Sequence, residues 1–149
     1  MQNGSLPTGA SETPLRSEGE ASPRVLIVED TESNLLIAKA ILKKCGAVHL
    51  DTAANGLVAL DLLKRNHYDI VYMDCMMPEM DGYEATRKIR GGTTGVENMT
   101  VPIIALTANA ILGDREECLK AGMSDYLSKP LRPTLLCASL KHWAGSRHS

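Results

Sequence analysis

The chain has 149 residues, 23% of them charged, and carries a formal net charge of −2 at pH 7. This length predicts a single domain with its own core, and the near-neutral charge gives no reason to expect contact with nucleic acid. No run approaches the roughly 18 apolar residues of a membrane span, so we expect no membrane contact and a cytoplasmic location.

The four cysteines, Cys45, Cys75, Cys118 and Cys137, show no C-x-x-C spacing. This absence argues against a zinc site and against a thioredoxin-like redox pair. We therefore expect all four to be reduced thiols, buried or partly buried in a cytosolic domain.

The first segment, Met1 to Pro23, contains three glycines, four serines and three prolines and almost no apolar periodicity. This composition is typical of a disordered tail or linker. We predict a folded domain at residues 24–143 and a short C-terminal tail at residues 144–149.

From Arg24 onward, short apolar runs alternate with amphipathic segments. Runs of about four apolar residues with β-branched members indicate strands, and apolar residues at three- and four-residue spacing indicate helices. The predicted strands, in chain order, are Val25–Val28, Val48–Asp51, Ile70–Met73, Ile103–Leu106 and Asp125–Leu127. The predicted helices are Glu32–Cys45, Gly56–Asn66, Tyr83–Arg90, Ala110–Lys120 and Pro133–Trp143, with a flexible connection at Gly91–Thr100.

Five strands alternating with five helices predict an α/β fold, a three-layer sandwich on a parallel sheet with right-handed crossovers. In such a sheet, ligands bind beyond the carboxyl ends of the strands. Polar residues occupy those positions after four of the predicted strands, and we expect them to meet at one edge. They are Glu29, Asp30, Asp74, Thr107 and Lys129.

Three converging carboxylates repel one another unless a cation lies between them, and oxygen ligands suit Mg²⁺ or Mn²⁺. An Asp beside such an ion can attack phosphorus and become an aspartyl phosphate. The transferred phosphoryl group then needs cationic and hydrogen-bonding partners, which Lys129 and Thr107 supply. The residue types therefore indicate phosphoryl chemistry at Asp74.

Four motifs, in this order, resemble those of the receiver domain of two-component response regulators, and the resemblance covers about Arg24 to Trp143. It implies a flavodoxin-like, doubly wound (βα)5 sandwich around a five-stranded parallel sheet of order 2-1-3-4-5. The motifs are Val28-Glu29-Asp30, Met73-Asp74-Cys75-Met76-Met77-Pro78-Glu79-Met80-Asp81-Gly82, Ala105-Leu106-Thr107-Ala108 and Ser128-Lys129-Pro130.

The resemblance implies a metal site around the phosphoacceptor. Asp74 matches the phosphoacceptor, and Asp30 matches the carboxylate that binds Mg²⁺ directly. Glu29 matches the acidic residue that usually holds the ion through water, and the backbone carbonyl of Met76 matches the remaining protein ligand.

The resemblance also implies a conformational switch. Lys129 matches the lysine that contacts the phosphoryl group, followed by a cis peptide bond to Pro130. Thr107 matches the switch hydroxyl and Tyr126 the switch aromatic, which follow the phosphoryl group in this family. Such a switch is a bistable element biased by one added phosphoryl group.

Asn34 and the run from Met77 to Thr86 resemble receivers of hybrid histidine kinases. The implied partners are a histidine kinase, a histidine phosphotransfer domain, or both. Only Ala144 to Ser149 follow Trp143, and we favour a fragment of a hybrid kinase over a stand-alone receiver. We expect no turnover enzyme in this chain itself.

Two other functions stay open. A Mg²⁺-dependent phosphatase of the haloacid-dehalogenase type also uses an Asp nucleophile, but its general acid would stand where this chain has Met76. A non-phosphorylated pseudo-receiver would act as an interaction module alone. A dinucleotide-binding enzyme is rejected, because no G-x-G-x-x-G follows the first strand.

Overall fold

The computed structural model describes residues 23–47, 49–108 and 112–148, and within them five strands alternate with five α-helices. The strands are β1 (Arg24–Val28), β2 (His49–Ala53), β3 (Ile70–Asp74), β4 (Ile103–Thr107) and β5 (Asp125–Ser128). The helices are α1 (Glu32–Lys44), α2 (Gly56–Arg65), α3 (Gly82–Arg90), α4 (Leu112–Ala121) and α5 (Pro133–His148). The predicted tail at residues 1–22 lies outside the described residues, as do Val48 of the second predicted strand and Ala110 of the fourth predicted helix.

The five strands form one parallel sheet in the order β2-β1-β3-β4-β5. The prediction of a flavodoxin-like, doubly wound α/β fold is therefore confirmed. Every residue of β3 and β4 is buried, as is every residue of β1 after Arg24. The edge strand β2 alternates between exposed and half-buried residues until it ends at the buried Ala53, as a strand covered on one side does.

Helices cover both faces of the sheet, and successive strand residues enter opposite cores. Ile27 and Tyr72 face the core formed with α1 and α5. Leu26 and Met73 face the core formed with α2, α3 and α4. Because both faces are covered, the carboxyl ends of the strands are where a ligand can reach the sheet.

Side-chain caps begin two of the helices that flank this edge. The Asn55 side chain accepts a hydrogen bond from the Val58 N–H at 3.0 Å, and Asp81 accepts one from the Glu84 N–H at 2.9 Å. Each cap satisfies a backbone donor that the helix leaves unpaired, a stabilisation of about 1 kcal/mol.

The connection after α3 contains more structure than its sequence predicts. Gly91–Thr100 was expected to be a flexible connection, but Val96–Thr100 forms a 3-10 helix. The buried Asn98 amide holds it, donating hydrogen bonds of 2.9 Å to the carbonyls of Leu63 and Thr94. This buried amide anchors the segment to the end of α2.

The prediction of four reduced thiols is wrong for two of the cysteines. Cys45 and Cys137 form a disulfide across 92 residues of sequence, with Cα atoms 5.5 Å apart. Cys45 follows the last residue of α1 and Cys137 lies in α5, and the two helices pack side by side on one face of the sheet. The fold creates this proximity, which no local spacing reveals.

The last helix is longer than predicted. It was expected to end at Trp143, with a tail at residues 144–149, but α5 continues through His148. Ala144 is 2% exposed and belongs to the core beneath α5, so burial favours the continuation. At 16 residues α5 is still short, and among the described residues no helix combines the length and apolar character needed to cross a membrane.

Candidate functional site

Polar side chains meet at the carboxyl edge of the sheet. Glu29 and Asp30 directly follow β1, and Asp74 is the last residue of β3. One carboxylate oxygen from each of the three lies within 4.8 Å of the others. Lys129, which directly follows β5, places its Nζ 2.9 Å from Glu29 Oε1 and 3.3 Å from Asp74 Oδ2. The structure therefore brings together four side chains that span a hundred residues of sequence.

Backbone hydrogen bonds hold these side chains in register. The Glu29 N–H donates to the carbonyl of Ala53 at 3.0 Å, which extends the pairing of β1 and β2 by one residue. The Lys129 N–H donates to the carbonyl of Thr107 at 2.8 Å, which does the same for β4 and β5. The predicted cis peptide between Lys129 and Pro130 is confirmed.

The remaining predicted site residues lie around this cluster. Thr107 ends β4 and is 4% exposed, and Tyr126 is half-buried in β5, with the Arg115 guanidinium carbon 5.9 Å from its ring centroid. Met76 is 73% exposed, and its N–H donates to Asp74 Oδ1 at 3.2 Å. The switch role of Thr107 and Tyr126 stays a prediction.

The charges in the cluster shift one another's ionisation. Burial, together with the neighbouring Glu29, raises the pKa of Asp74 to about 6, although Lys129 acts in the opposite direction. Burial also opposes ionisation of Glu29, but hydrogen bonds from Lys129 and the Thr31 N–H outweigh it and lower the pKa. Burial would lower the pKa of Lys129, but its two carboxylate partners outweigh burial and raise it.

The elevated pKa of Asp74 predicts a pH-dependent stability for the metal-free chain. The pKa of Asp74 in the folded chain, about 6, exceeds the ordinary value of 3.8. The stability of the fold relative to the unfolded chain is therefore highest, as far as Asp74 is concerned, below pH 3.8, where the side chain is protonated in both states. That stability is lost as the pH rises through 6 and the buried carboxylate ionises. Asp74→Asn removes the buried charge, so it should raise the free energy of unfolding by about 2 kcal/mol at pH 8 and change it little at pH 4. Urea unfolding at both pH values, in the presence of a chelator, measures this. An equal effect at the two pH values would rule out ionisation as its source.

The donor set fits a hard divalent cation. Three ionised carboxylates and one ammonium leave two net negative charges, which one such ion balances. Oxygen ligands of this kind suit Mg²⁺. Both oxygens of Glu29 already have partners, since Oε1 lies near Lys129 and Oε2 accepts the Thr31 N–H at 3.2 Å. Asp30 is exposed, so an ion from solvent can reach its carboxylate.

A close backbone contact at Gly82 positions the end of β3, a role that the sequence pattern did not indicate. A Cβ atom on Gly82 would lie 2.3 Å from the carbonyl oxygen of Asp74 and 2.9 Å from Met73 Cγ. The Gly82 N–H donates to the carbonyl of Cys75 at 3.1 Å, which closes the loop after Asp74.

Gly82→Ala should destabilise the domain by about 2 kcal/mol, because the added methyl group forces the backbone at Asp74 to move. Gly91→Ala is the matched control, since its Cβ would come no closer than 3.3 Å to a neighbour. That change should stay within about 0.5 kcal/mol. Urea unfolding of both variants gives the comparison, and equal stabilities would contradict the steric role of Gly82.

A small apolar cavity of about 170 Å³ opens beside the acidic cluster. Its lining combines the polar site with apolar side chains of α1 and the segment before α5. Ile37 in this lining is 52% exposed. The lining residues are Glu29, Asn34, Ile37, Lys129, Pro130 and Leu131.

A comparison with known proteins places this geometry in a family. A family model described as the response regulator receiver domain matches residues 25–141. Sensor histidine kinase GacS of Pseudomonas protegens is 36% identical over 139 residues, which cover 93% of this chain and 15% of GacS. The chain thus spans a small part of the curated relatives that it matches.

Two solved structures are similar to this chain in both sequence and fold. The receiver domain of a Pseudomonas aeruginosa PAO1 sensor histidine kinase, with a magnesium ion coordinated in its active site cleft, is 44% identical. It superposes with a TM-score of 0.76 over 84% of this chain and 99% of that one. A chain from the co-crystal structure of the Saccharomyces cerevisiae phosphotransfer protein Ypd1 with the receiver domain of Ssk1 is 30% identical, with a TM-score of 0.75 over 85% of this chain and 93% of that one. The protein therefore belongs to the response regulator receiver family, whose domains serve phosphorelay signalling in hybrid histidine kinases and response regulators.

Proposed function

We propose that Asp74 accepts a phosphoryl group from a phosphohistidine, with a divalent cation held at Asp30, Asp74 and Glu29 and by the carbonyl of Met76. The observation that carries this proposal is the buried Asp74 carboxylate, which shares the Lys129 ammonium with the Glu29 carboxylate. The magnesium ion in the related Pseudomonas aeruginosa receiver supports Mg²⁺ as the cation. When bound, the ion neutralises negative charge on the phosphoryl oxygens.

The reaction exchanges one bond to phosphorus for another. A carboxylate oxygen of Asp74 forms a bond to phosphorus as the bond between phosphorus and the imidazole nitrogen breaks, and the imidazole keeps the electron pair. Lys129 pairs with the charge on the transferred group, and the Thr107 hydroxyl donates a hydrogen bond to it. Asp74 must be ionised to attack, and a nearby cation favours that form.

We propose that the chain exchanges this phosphoryl group with a histidine phosphotransfer protein, as part of a hybrid histidine kinase, and that residues 24–143 form the receiver. The similarity to GacS, a sensor histidine kinase, supports the proposal that the parent protein is a histidine kinase. The related Ssk1 receiver was co-crystallised with Ypd1, which supports a histidine phosphotransfer protein as the partner. A conformational switch through Thr107 and Tyr126, in place of relay, is the other outcome for the phosphorylated domain.

Acetyl phosphate tests the acceptor role without any partner protein. The chain, incubated with Mg²⁺ and acetyl phosphate, should gain the mass of one phosphoryl group, stable in acid and labile in base. A chelator should prevent the gain. Sustained turnover of a generic phosphoester would instead indicate a phosphatase, and a chain that never gains the group would indicate a pseudo-receiver.

The apolar cavity beside the site predicts where the phosphotransfer partner binds. Asp74 is 5% exposed, so a phosphohistidine must approach across the surface that surrounds it, which includes Ile37. Ile37→Glu should lower the transfer rate from a phosphotransfer protein by about tenfold, the effect of losing one well-buried apolar contact. Phosphorylation by acetyl phosphate should not change.

Leu57→Glu is the matched control for this prediction. Leu57 is 50% exposed on α2, which packs on the opposite face of the sheet from α1. Rapid-quench measurement of transfer should give the wild-type rate for this variant. Equal losses in both variants would contradict a docking surface at Ile37.

A further inference from the structure

The cysteines form two pairs with opposite properties. Cys45 and Cys137 are joined by a disulfide, and both are half-buried. Cys75 and Cys118 remain thiols with their sulfur atoms 3.9 Å apart, and neither is more than 2% exposed. The first pair therefore lies closer to solvent than the second pair, which a reagent reaches only when the domain opens.

The chemical surroundings of the two pairs also differ. Lys44 directly precedes Cys45, and Lys141 follows Cys137 by about one helical turn, which places it on the same side of α5. Both lysines are exposed, and nearby cations attract an anionic thiolate and stabilise the thiolate that leaves. Burial, by contrast, raises the pKa of the Cys75 thiol to about 12, which leaves it protonated and unreactive.

We propose that the Cys45–Cys137 pair is a redox modification site, at which small anionic thiols of the glutathione class open the link between α1 and α5 and the corresponding disulfides close it. In opening, a thiolate attacks one sulfur, the bond between Cys45 and Cys137 breaks, and a mixed disulfide forms. A second thiolate attacks the mixed disulfide, so the chain gains two electrons as two small thiols become one disulfide. Closing is the reverse, with the small disulfide as oxidant.

The state of this pair sets how firmly α5 is held. The bond closes a loop across 92 residues, which includes all of β2, β3, β4 and β5. Without it, α5 stays attached through apolar packing and through a buried hydrogen bond of 2.8 Å between the Tyr72 and Ser139 hydroxyls. Opening so long a loop increases the freedom of the unfolded chain, and we expect the melting temperature to fall by about 10 °C.

The test uses the folded wild-type chain in glutathione buffers that run from fully oxidised to fully reduced. Accessible thiols are trapped with a maleimide, counted by intact mass and mapped by peptide analysis. We expect no label in the oxidised buffer, two labels in the reduced buffer, on Cys45 and Cys137, and full reversal on return to oxidised glutathione. The reduced chain should melt about 10 °C below the oxidised chain.

Two double variants separate this pair from the buried one. The Cys45→Ser, Cys137→Ser variant should melt like the reduced wild-type chain in every buffer. The Cys75→Ala, Cys118→Ala variant should keep the redox-dependent shift in melting temperature. The proposal is overturned if the folded chain shows no label at Cys45 and Cys137 in reduced buffer, if Cys75 and Cys118 react as fast, or if oxidised and reduced chains melt together.

Discussion

An Asp74→Asn chain should gain no phosphoryl group from acetyl phosphate under conditions in which the wild-type chain gains one. The amide has nearly the shape of the carboxylate, so the surrounding loop can stay in place. It lacks the ionised oxygen that must attack phosphorus. The loss should therefore be complete, and intact-mass measurement detects it directly.

Asp61→Asn is the matched control, because the Asp61 side chain is 62% exposed on α2 and pairs with Arg65. This variant should be phosphorylated like the wild-type chain. Circular dichroism should show that both variants are folded. If an Asp74→Asn chain gained the phosphoryl group at the wild-type rate, the acceptor would be a residue other than Asp74.

Asp30→Ala should weaken Mg²⁺ binding by at least about tenfold, because the proposed site loses a charged oxygen ligand. Asp30 is the exposed member of the acidic cluster, so the substitution should disturb packing little. Phosphorylation by acetyl phosphate should fall in parallel at low Mg²⁺ and recover in part at high Mg²⁺. Isothermal titration calorimetry measures the affinity.

Asp61→Ala provides the corresponding control for metal binding, since it removes a carboxylate of the same kind outside the cluster. Its Mg²⁺ affinity should equal that of the wild-type chain. Unchanged affinity in Asp30→Ala would exclude Asp30 as a direct ligand. Equal losses in both variants would indicate a general effect of net charge.

The fold and the composition of the site edge could be predicted because both depend on local patterns. Ile70–Met73 is apolar at every position, which indicates a strand buried on both faces without knowledge of its neighbours. The polar residue that ends such a strand must lie at the carboxyl edge. The same logic placed Glu29 and Lys129 at that edge, and the parallel sheet brings their side chains into contact.

Other features depend on contacts between distant segments and could not be predicted. The Cys45–Cys137 bond requires α1 and α5 to be neighbours, which follows from the order of the strands and not from any spacing of cysteines. The 3-10 helix depends on where the Asn98 side chain is buried, although its glycine-rich surroundings suggest a flexible loop. The close approach of Gly82 to Asp74 also becomes visible only in three dimensions.

The position of Lys129 between Glu29 and Asp74 has a consequence for how the cell could use the domain. Its ammonium offsets part of the repulsion between the two buried carboxylates, so the chain can fold before any divalent ion arrives. Under the proposed function, folding and loading with Mg²⁺ are then separate events. We expect the abundance of the folded domain to stay constant as the free Mg²⁺ concentration changes, while the fraction ready to receive a signal follows it.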